Sequence, residues 1–477
     1  MIKRLYFLLF VCSCFGRQGI SQDKPNIIII YADDMGYGDV GYHGVDDILT
    51  PEIDALAGEG VHFSQGYVTA SVCGPSRAGM ITGVYQQRFG CGENPSAEGY
   101  PENPRFKLAG VPTTQPMLSE LLKPQGYQCG MIGKWHMGVD KPLRPNSRSY
   151  DFFYGFLNGA HDYYYASKHF TKNKSKWPIF RNWEAEDPHN GYLTELFTDE
   201  AVNFIHENKE EPFFLYVAYN AVHHPWQVPE EYLERTKHLN AGEDRQFFAA
   251  MVLALDDGVG KINQAVKAAG LEENTIIFFV SDNGSPRGQG LKPSKKDSRQ
   301  ERGGHVMSST LGLRGYKGDT YEGGIRVPFI MKWPQKVAKG TQYDFPVSTL
   351  DIVGSLNEEL ALNGGTQGFA LDGVNLIPFL DGRQSGRPHE IMYWRRDNDY
   401  AIRKGDWKLS WNDHSCPKGS DSMLFNLAED PKEFNDLSEA SPEIKKELQH
   451  LFDLWDSKLP DNAWWGGPKN RQYNYKP

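Results

Sequence analysis

Four short apolar runs in this chain each end on polar side chains of an unusual kind. Residues 26–31 lead into Asp33 and Asp34, and residues 128–132 lead through Gly133 into Lys134 and His136. Residues 212–217 lead into His223 and His224, and residues 275–280 into Asp282 and Asn283. Asp33, Asp34, Asp282 and Asn283 are hard oxygen donors drawn from two separate runs. Such a set suits one Ca2+, which takes about six to eight oxygen ligands, better than it suits zinc. Taken singly, each group has an ordinary reading: a solvated turn for Asp33-Asp34, a core position for His223 or His224, a surface position for Lys134. Their recurrence at the ends of four similar runs argues for one shared site.

Apolar runs rich in β-branched and aromatic residues, without alternation, read as central strands covered on both faces. Helical patterns at 194–207 and 244–268 lie between them. This alternation predicts an α/β fold: a large, mostly parallel sheet sandwiched by helices, with ligands beyond the carboxyl ends of the strands. After about residue 380 the texture changes. Residues 401–409 and 422–427 read as strands of a small antiparallel sheet, expected to have four strands. Ser441 can cap a helix with Pro442 as its first residue, and Ile444, Leu448, Leu451 and Trp455 then form an apolar stripe. The expected organisation is a catalytic domain at 23–380 followed by a smaller α+β domain at 381–477.

The chain has 477 residues and a net charge of −10, which argues against a nucleic-acid binder, because phosphate contacts need a basic face. Lys3 and Arg4 precede an apolar stretch from 5 to 15, followed by small and polar residues to Gln22. That pattern reads as an export signal over 1–22, too short to span a bilayer, and predicts a periplasmic or extracellular protein without a transmembrane segment. Val11-Cys12-Ser13-Cys14 loosely matches a lipoprotein cleavage site, so an outer-membrane form lipidated at Cys14 is the anchored alternative. The remaining cysteines, Cys73, Cys91, Cys129 and Cys416, have neither zinc-site spacing nor the density of a disulfide scaffold.

Cys73-Gly74-Pro75-Ser76-Arg77 resembles the Cys-x-Pro-x-Arg signature by which type I sulfatases, members of the alkaline phosphatase superfamily, present a cysteine for conversion to Cα-formylglycine. Asp33-Asp34-Met35-Gly36-Tyr37-Gly38-Asp39, Gly133-Lys134-Trp135-His136, His223 before Pro225, Asp282-Asn283-Gly284 and Gly315-Tyr316-Lys317 resemble further motifs of that family, in its order, between about residues 25 and 335. One departure is Thr82-Gly83-Val84, where family members often carry Thr-Gly-Arg.

The resemblance implies a sulfuric ester hydrolase with one Ca2+ held by Asp33, Asp34, Asp282, Asn283 and the modified Cys73, and a partner enzyme that makes the formylglycine. One hydroxyl of the formylglycine hydrate would attack sulfur, and loss of the second hydroxyl's proton would expel sulfate. By the same resemblance Asp282 would deprotonate the attacking hydroxyl, and Arg77 would support metal and nucleophile. Lys134 and Lys317 would contact the sulfate, and His136 would collapse the hemiacetal. His223, two residues before the proline, would act with Lys317 as acid to the departing alcohol.

The run from Gly284 to Ser309 contains Arg287, Lys292, Lys295, Lys296, Arg299 and Arg302, a basic loop beside the Asp282-Asn283 pair that suits a polyanionic ligand. The expected substrate is therefore a sulfated carbohydrate, with His161, Arg302 and Arg314 as candidate contacts. His161-Asp162-Tyr163-Tyr164-Tyr165 and Trp464-Trp465 are candidate sugar-contact patches. Two competing readings remain: a phosphodiester or phosphonate monoester hydrolase of the same superfamily, and a silent sulfoglycan-binding protein with unmodified Cys73.

Overall fold

The computed structural model describes residues 24–95, 109–164, 178–186, 190–286, 307–364, 368–412 and 421–460. The expected signal with Cys14, the run 287–306 with Arg302, Tyr165, Cys416 and Trp464-Trp465 lie outside the described residues. In chain order the strands are β1 (Asn26–Ala32), β2 (Val61–Phe63), β3 (Gly66–Tyr67), β4 (Gln128–Lys134), β5 (Phe152–Phe156), β6 (Ile179–Arg181), β7 (Glu184–Glu186) and β8 (Phe213–Ala218). They continue with β9 (Thr275–Ser281), β10 (Phe329–Lys332), β11 (Thr341–Tyr343), β12 (Val347–Ser348), β13 (Ile391–Arg396), β14 (Asp399–Lys404), β15 (Trp407–Trp411) and β16 (Met423–Asn426). The longer helices are α1 (Pro51–Glu59), α2 (Cys73–Thr82), α3 (Leu193–Glu207), α4 (Glu243–Ala268), α5 (Leu350–Glu359) and α6 (Pro442–Asp456).

The principal sheet runs β11-β2-β10-β9-β1-β8-β4-β5-β6-β7. Its centre, β9-β1-β8-β4-β5, is parallel, and antiparallel pairings appear only towards the two edges. The four apolar runs are thus four consecutive parallel strands, so their carboxyl ends stand side by side. In β1 every residue is buried, as a strand covered on both faces requires. Ile27, Ile29 and Tyr31 face one way, into a core shared with Ala78, Met80 and Ile81 of α2 and Ile352, Val353 and Leu356 of α5. Ile28, Ile30 and Ala32 face the other way, against Ile53 of α1, Phe197 and Ala201 of α3, and Val252 and Leu255 of α4. Helix α4 is long because its middle is rich in Ala and Leu, with Glu243 and Asp244 in the first turn and Lys267 in the last to complement the helix dipole.

The C-terminal part is the expected four-stranded antiparallel sheet, β13-β14-β15-β16. Ile402, Leu409 and Leu424 pack there against Leu448 and Phe452 of α6, with Ile444, Leu451 and Trp455 partly buried around them. Pro442 opens α6 as predicted, but Ser441 makes no side-chain capping bond. A proline that already fixes the first helical φ and lacks an N–H lowers the need for one. No helix among the described residues is long and apolar enough to cross a membrane. Cys73, Cys91 and Cys129 are free and buried.

Candidate active site

At the end of β1 the chain turns through Asp34, whose φ of +64° is a left-handed conformation that Asp tolerates better than most residues. Backbone bonds hold this turn between its neighbours: Asp33 N–H donates to Ala221 O at 2.8 Å, Val222 N–H to Asp33 O at 2.6 Å, and Asp282 N–H to Ala32 O at 3.0 Å. Asp34 N–H donates to Asp282 Oδ1 at 3.1 Å. The ends of β1, β8 and β9 are therefore laced together through main chain, and their side chains converge.

Cys73 opens α2, a helix whose every residue is buried, and Arg77 follows one turn later on the same face. Cys73 Sγ lies 3.5 Å from Asp33 Oδ1. Arg77 donates to Asp282 Oδ2 through Nε at 3.1 Å and Nη2 at 2.7 Å, and to Lys134 O at 3.1 Å. Asn94 Oδ1 accepts from Gly74 N–H at 2.8 Å and steadies this first turn. From β4, Lys134 Nζ reaches Asp33 Oδ2 at 2.6 Å, and Lys317 Nζ reaches Asp34 Oδ1 at 2.5 Å. Three carboxylates (Asp33, Asp34, Asp282) and three cations (Arg77, Lys134, Lys317) thus share one buried space.

Burial, then the charge of Asp282, push Asp33 above the usual carboxylate range against the pull of Lys134 and Arg77. Burial also opposes the charge on Asp34, but Lys317, His223 and Lys134 outweigh it and hold that group well below the usual range. Burial and Asp282 push the Cys73 thiol up to about 12, so an unmodified Cys73 is a poor source of thiolate at neutral pH.

The donor set fits a hard divalent cation. Asp33, Asp34, Cys73 and His223 each offer a ligand atom within 4.8 Å of the others. Asn283 donates through Nδ2 to Asp34 Oδ1 at 2.8 Å, while its buried Oδ1 has no hydrogen-bond partner. An orphaned carbonyl oxygen beside clustered carboxylates is what an oxygen-ligated ion would satisfy.

His136 follows Lys134 with φ of +55°, and its buried Nδ1 has no partner. Burial, then Lys134, Arg77 and Lys317, hold it well below its usual pKa, so it is neutral. His223 Nδ1 lies 2.6 Å from His224 O, which makes Nδ1 the protonated nitrogen and leaves Nε2 3.7 Å from Asp34 Oδ2. Burial lowers its pKa well below the usual value, and Asp34 opposes that shift. His224 stacks on His223 with ring centroids 4.3 Å apart.

A family model for sulfatases matches residues 25–358. The chain belongs to the sulfatase family. It is accordingly an enzyme, a sulfuric ester hydrolase. This sulfatase is 31% identical to N-acetylgalactosamine-6-sulfatase of Homo sapiens over 480 residues, covering 91% of this chain and 85% of the relative. The N-acetylgalactosamine-6-O-sulfatase of Bacteroides thetaiotaomicron is 30% identical over 501 residues, covering 91% of this chain and 94% of its own. Among solved structures, Ps i-CgsB in complex with k-i-k-neocarrahexaose superposes with a TM-score of 0.80 at 33% identity, over 93% of this chain and 95% of that one.

His161 and Arg314, expected as substrate contacts, both make contacts within the protein. His161 is buried, with Nδ1 2.6 Å from Asp162 O and its ring 5.1 Å from that of Phe156. Arg314 donates to Glu433 O at 2.8 Å and lies 4.2 Å over the Tyr321 ring, contacts that draw its guanidinium to the seam with the C-terminal part. Arg245 of α4 was not singled out in the sequence. It pairs with Asp39 and Asp47 and donates to Gly38 O and Met307 O, fastening the loop after β1 to the chain at 307–309. An arginine on an otherwise apolar helical face was the signal for it, though not for its partners.

Proposed function

We propose that the chain is an exported, calcium-dependent sulfatase that removes sulfate from a carbohydrate, with a formylglycine made from Cys73 by a maturation enzyme. The observation that carries this reading is the convergence of Cys73, three carboxylates and three cations in one buried space. The sugar specificities in the names of its relatives support the substrate class. In this reading the catalytic part spans 23–380, the C-terminal part spans 381–477, and residues 1–22 direct export.

Asp33, Asp34, Asp282 and Asn283 would hold Ca2+, whose charge would offset the carboxylates and polarise a bound sulfate. A formylglycine hydrate would supply a nucleophile that the thiol of Cys73 cannot. Lys134 and Lys317 stand on opposite partners, Asp33 and Asp34, so together they can orient the sulfate between them and stabilise charge spreading over its oxygens. Arg77 anchors Asp282 through two nitrogens and keeps it beside the nucleophile. Neutral His136 can accept a proton at its unpartnered Nδ1. In its charged form, which Asp34 favours and burial opposes, His223 would hold on Nε2 the proton for the departing oxygen.

Protein produced with a formylglycine-generating enzyme tests the reading. Peptide mass spectrometry across Cys73 should find the mass loss of thiol-to-aldehyde conversion. The matured protein should release sulfate from aryl sulfate and from N-acetylgalactosamine 6-sulfate, in preference to splitting an aryl phosphate diester. Sulfate release at an undiminished rate by Cys73→Ala would sink the mechanism.

A further inference from the structure

Beside His136 the surface opens into a cavity of about 230 Å³, bounded among the described residues by Phe156, Phe180, Asp140, Arg144 and Asn158. A neck of about 10 Å³ lined by His136 and Pro95 shares Val139, Leu157 and Asn158 with it. Both neck residues lie against Gly74: a Cβ built there would stand 2.7 Å from Pro95 Cδ and 3.3 Å from His136 O. The cavity is therefore one narrow step from the residue next to Cys73.

Its polar groups have spare capacity. Asn158 Nδ2 is buried and has no hydrogen-bond partner, an unfavourable state that a ligand accepting from it would relieve. Arg144 spends Nε on Val139 O at 2.8 Å and rests its guanidinium 5.2 Å over the Phe180 ring. Its two terminal nitrogens have no partner among the described residues, and neither has the Asp140 carboxylate. A planar guanidinium fixed on an aromatic face with its fork free is suited to a carboxylate or sulfate. The volume lies below the roughly 300–1,000 Å³ of pockets for drug-sized ligands, which suits one further sugar ring.

We propose that this cavity binds the sugar unit next to the one that is desulfated, with Arg144 taking an anionic substituent of that unit and Asn158 and Asp140 taking its hydroxyls. The placement of the scissile ester rests on the sulfatase reading above. The enzyme then acts on oligosaccharides in preference to single sugars.

Kinetics on three probes test this: N-acetylgalactosamine 6-sulfate, its disaccharide with a uronic acid, and a sulfated neocarrahexaose. Arg144→Met should raise KM for a charged oligosaccharide on the order of tenfold to a hundredfold more than for the monosaccharide, the worth of charge-assisted hydrogen bonds. The uronic-acid and neocarrahexaose arms distinguish a carboxylate from a sulfate as the group bound. Asn158→Ala should change KM in the same direction by less. Calorimetry of the same sugars on Cys73→Ala protein, with and without Arg144→Met, reads the cavity without turnover. Arg144-dependent binding without sulfate release from any probe would overturn the sulfatase reading and leave the cavity standing. Turnover in which Arg144→Met affects single and linked sugars alike, or neither, would overturn the cavity.

Discussion

Arg77 has no exposed surface, and its guanidinium satisfies Asp282 through two nitrogens and Lys134 O through a third. A lysine there would keep the charge but lose the fork that makes these bonds at once. Arg77→Lys should therefore lower kcat/KM for aryl sulfate by at least about tenfold and weaken calcium binding, since breaking part of a buried charge network costs more than losing one neutral contact. Kinetics and a calcium titration read the two effects. Asn283 makes a second test at this scale. In the proposed calcium site its orphaned Oδ1 would be the neutral ligand among charged ones, so Asn283→Leu should reduce calcium affinity while the far-ultraviolet circular dichroism stays unchanged. Dialysis against a chelator should abolish sulfate release and lower Tm, and calcium should restore both, because a ligand bound only by the folded state stabilises it.

Strand β4 delivers Lys134, and it can do so because Gly133 sits before it with φ of +102°. A Cβ there would fall 2.0 Å from Ala218 O on β8, well inside contact distance. Gly133→Ala therefore meets both a disfavoured backbone and a collision with the adjacent strand. It should yield insoluble protein or a markedly lower Tm, with loss of sulfate release. Helix α5 carries a different kind of joint: Asp351 accepts from Ser348 N–H at 2.8 Å and Val374 N–H at 2.9 Å, and lies 2.8 Å from His389 Nε2. Burial works against a charged His389, but Asp351 outweighs it, and the pKa is raised. A raised folded pKa means that the pair stabilises fully below the unfolded value of about 6.5, and that this contribution fades as pH rises through the folded pKa. The Tm gap between wild type and His389→Gln should therefore be widest near pH 6 and shrink toward pH 9. A gap that widens with pH would contradict this assignment.

Across the whole molecule, the C-terminal sheet is built into the catalytic part instead of hanging from it. Trp394 Nε1 donates to Val68 O at 2.7 Å, and Arg403 Nη1 to Tyr67 Oη at 2.6 Å. Lys408 on β15 lies 2.9 Å from both Glu322 Oε1 and Glu433 Oε1, and none of the three side chains is exposed. From Glu322 the main chain continues to Gly323, which donates to Arg314 O at 2.7 Å, and to Gly324, whose carbonyl accepts from Gly284 N–H at 3.0 Å. Lys317 N–H in turn donates to Ser285 O at 2.7 Å. The Asp282-Asn283 loop and the Lys317 loop thus rest on a segment pinned by the C-terminal sheet. Lys408→Met would remove the cation that two buried acidic side chains share, at a cost of about 3–5 kcal/mol. It should lower Tm and also reduce kcat, with partial recovery in Lys408→Arg, as melting curves and sulfate release would measure.

The amino-acid sequence by itself determined the α/β class, the four central strands and the residues at their ends. Continuous runs rich in β-branched residues, such as Ile27 to Ile30, read as strands covered on both faces, and motifs such as Cys73-Gly74-Pro75-Ser76-Arg77 are local in the chain. It did not determine that these strands are consecutive neighbours in the order β9-β1-β8-β4, because pairing is decided between segments up to about 250 residues apart. Nor did it place Arg314, whose partner Glu433 is 119 residues away. Arg144 and Asn158 carry no motif, and their unspent hydrogen-bonding capacity exists only once the fold has walled them in. Side-chain type is written residue by residue, but which donors are left without partners is a property of the packed molecule.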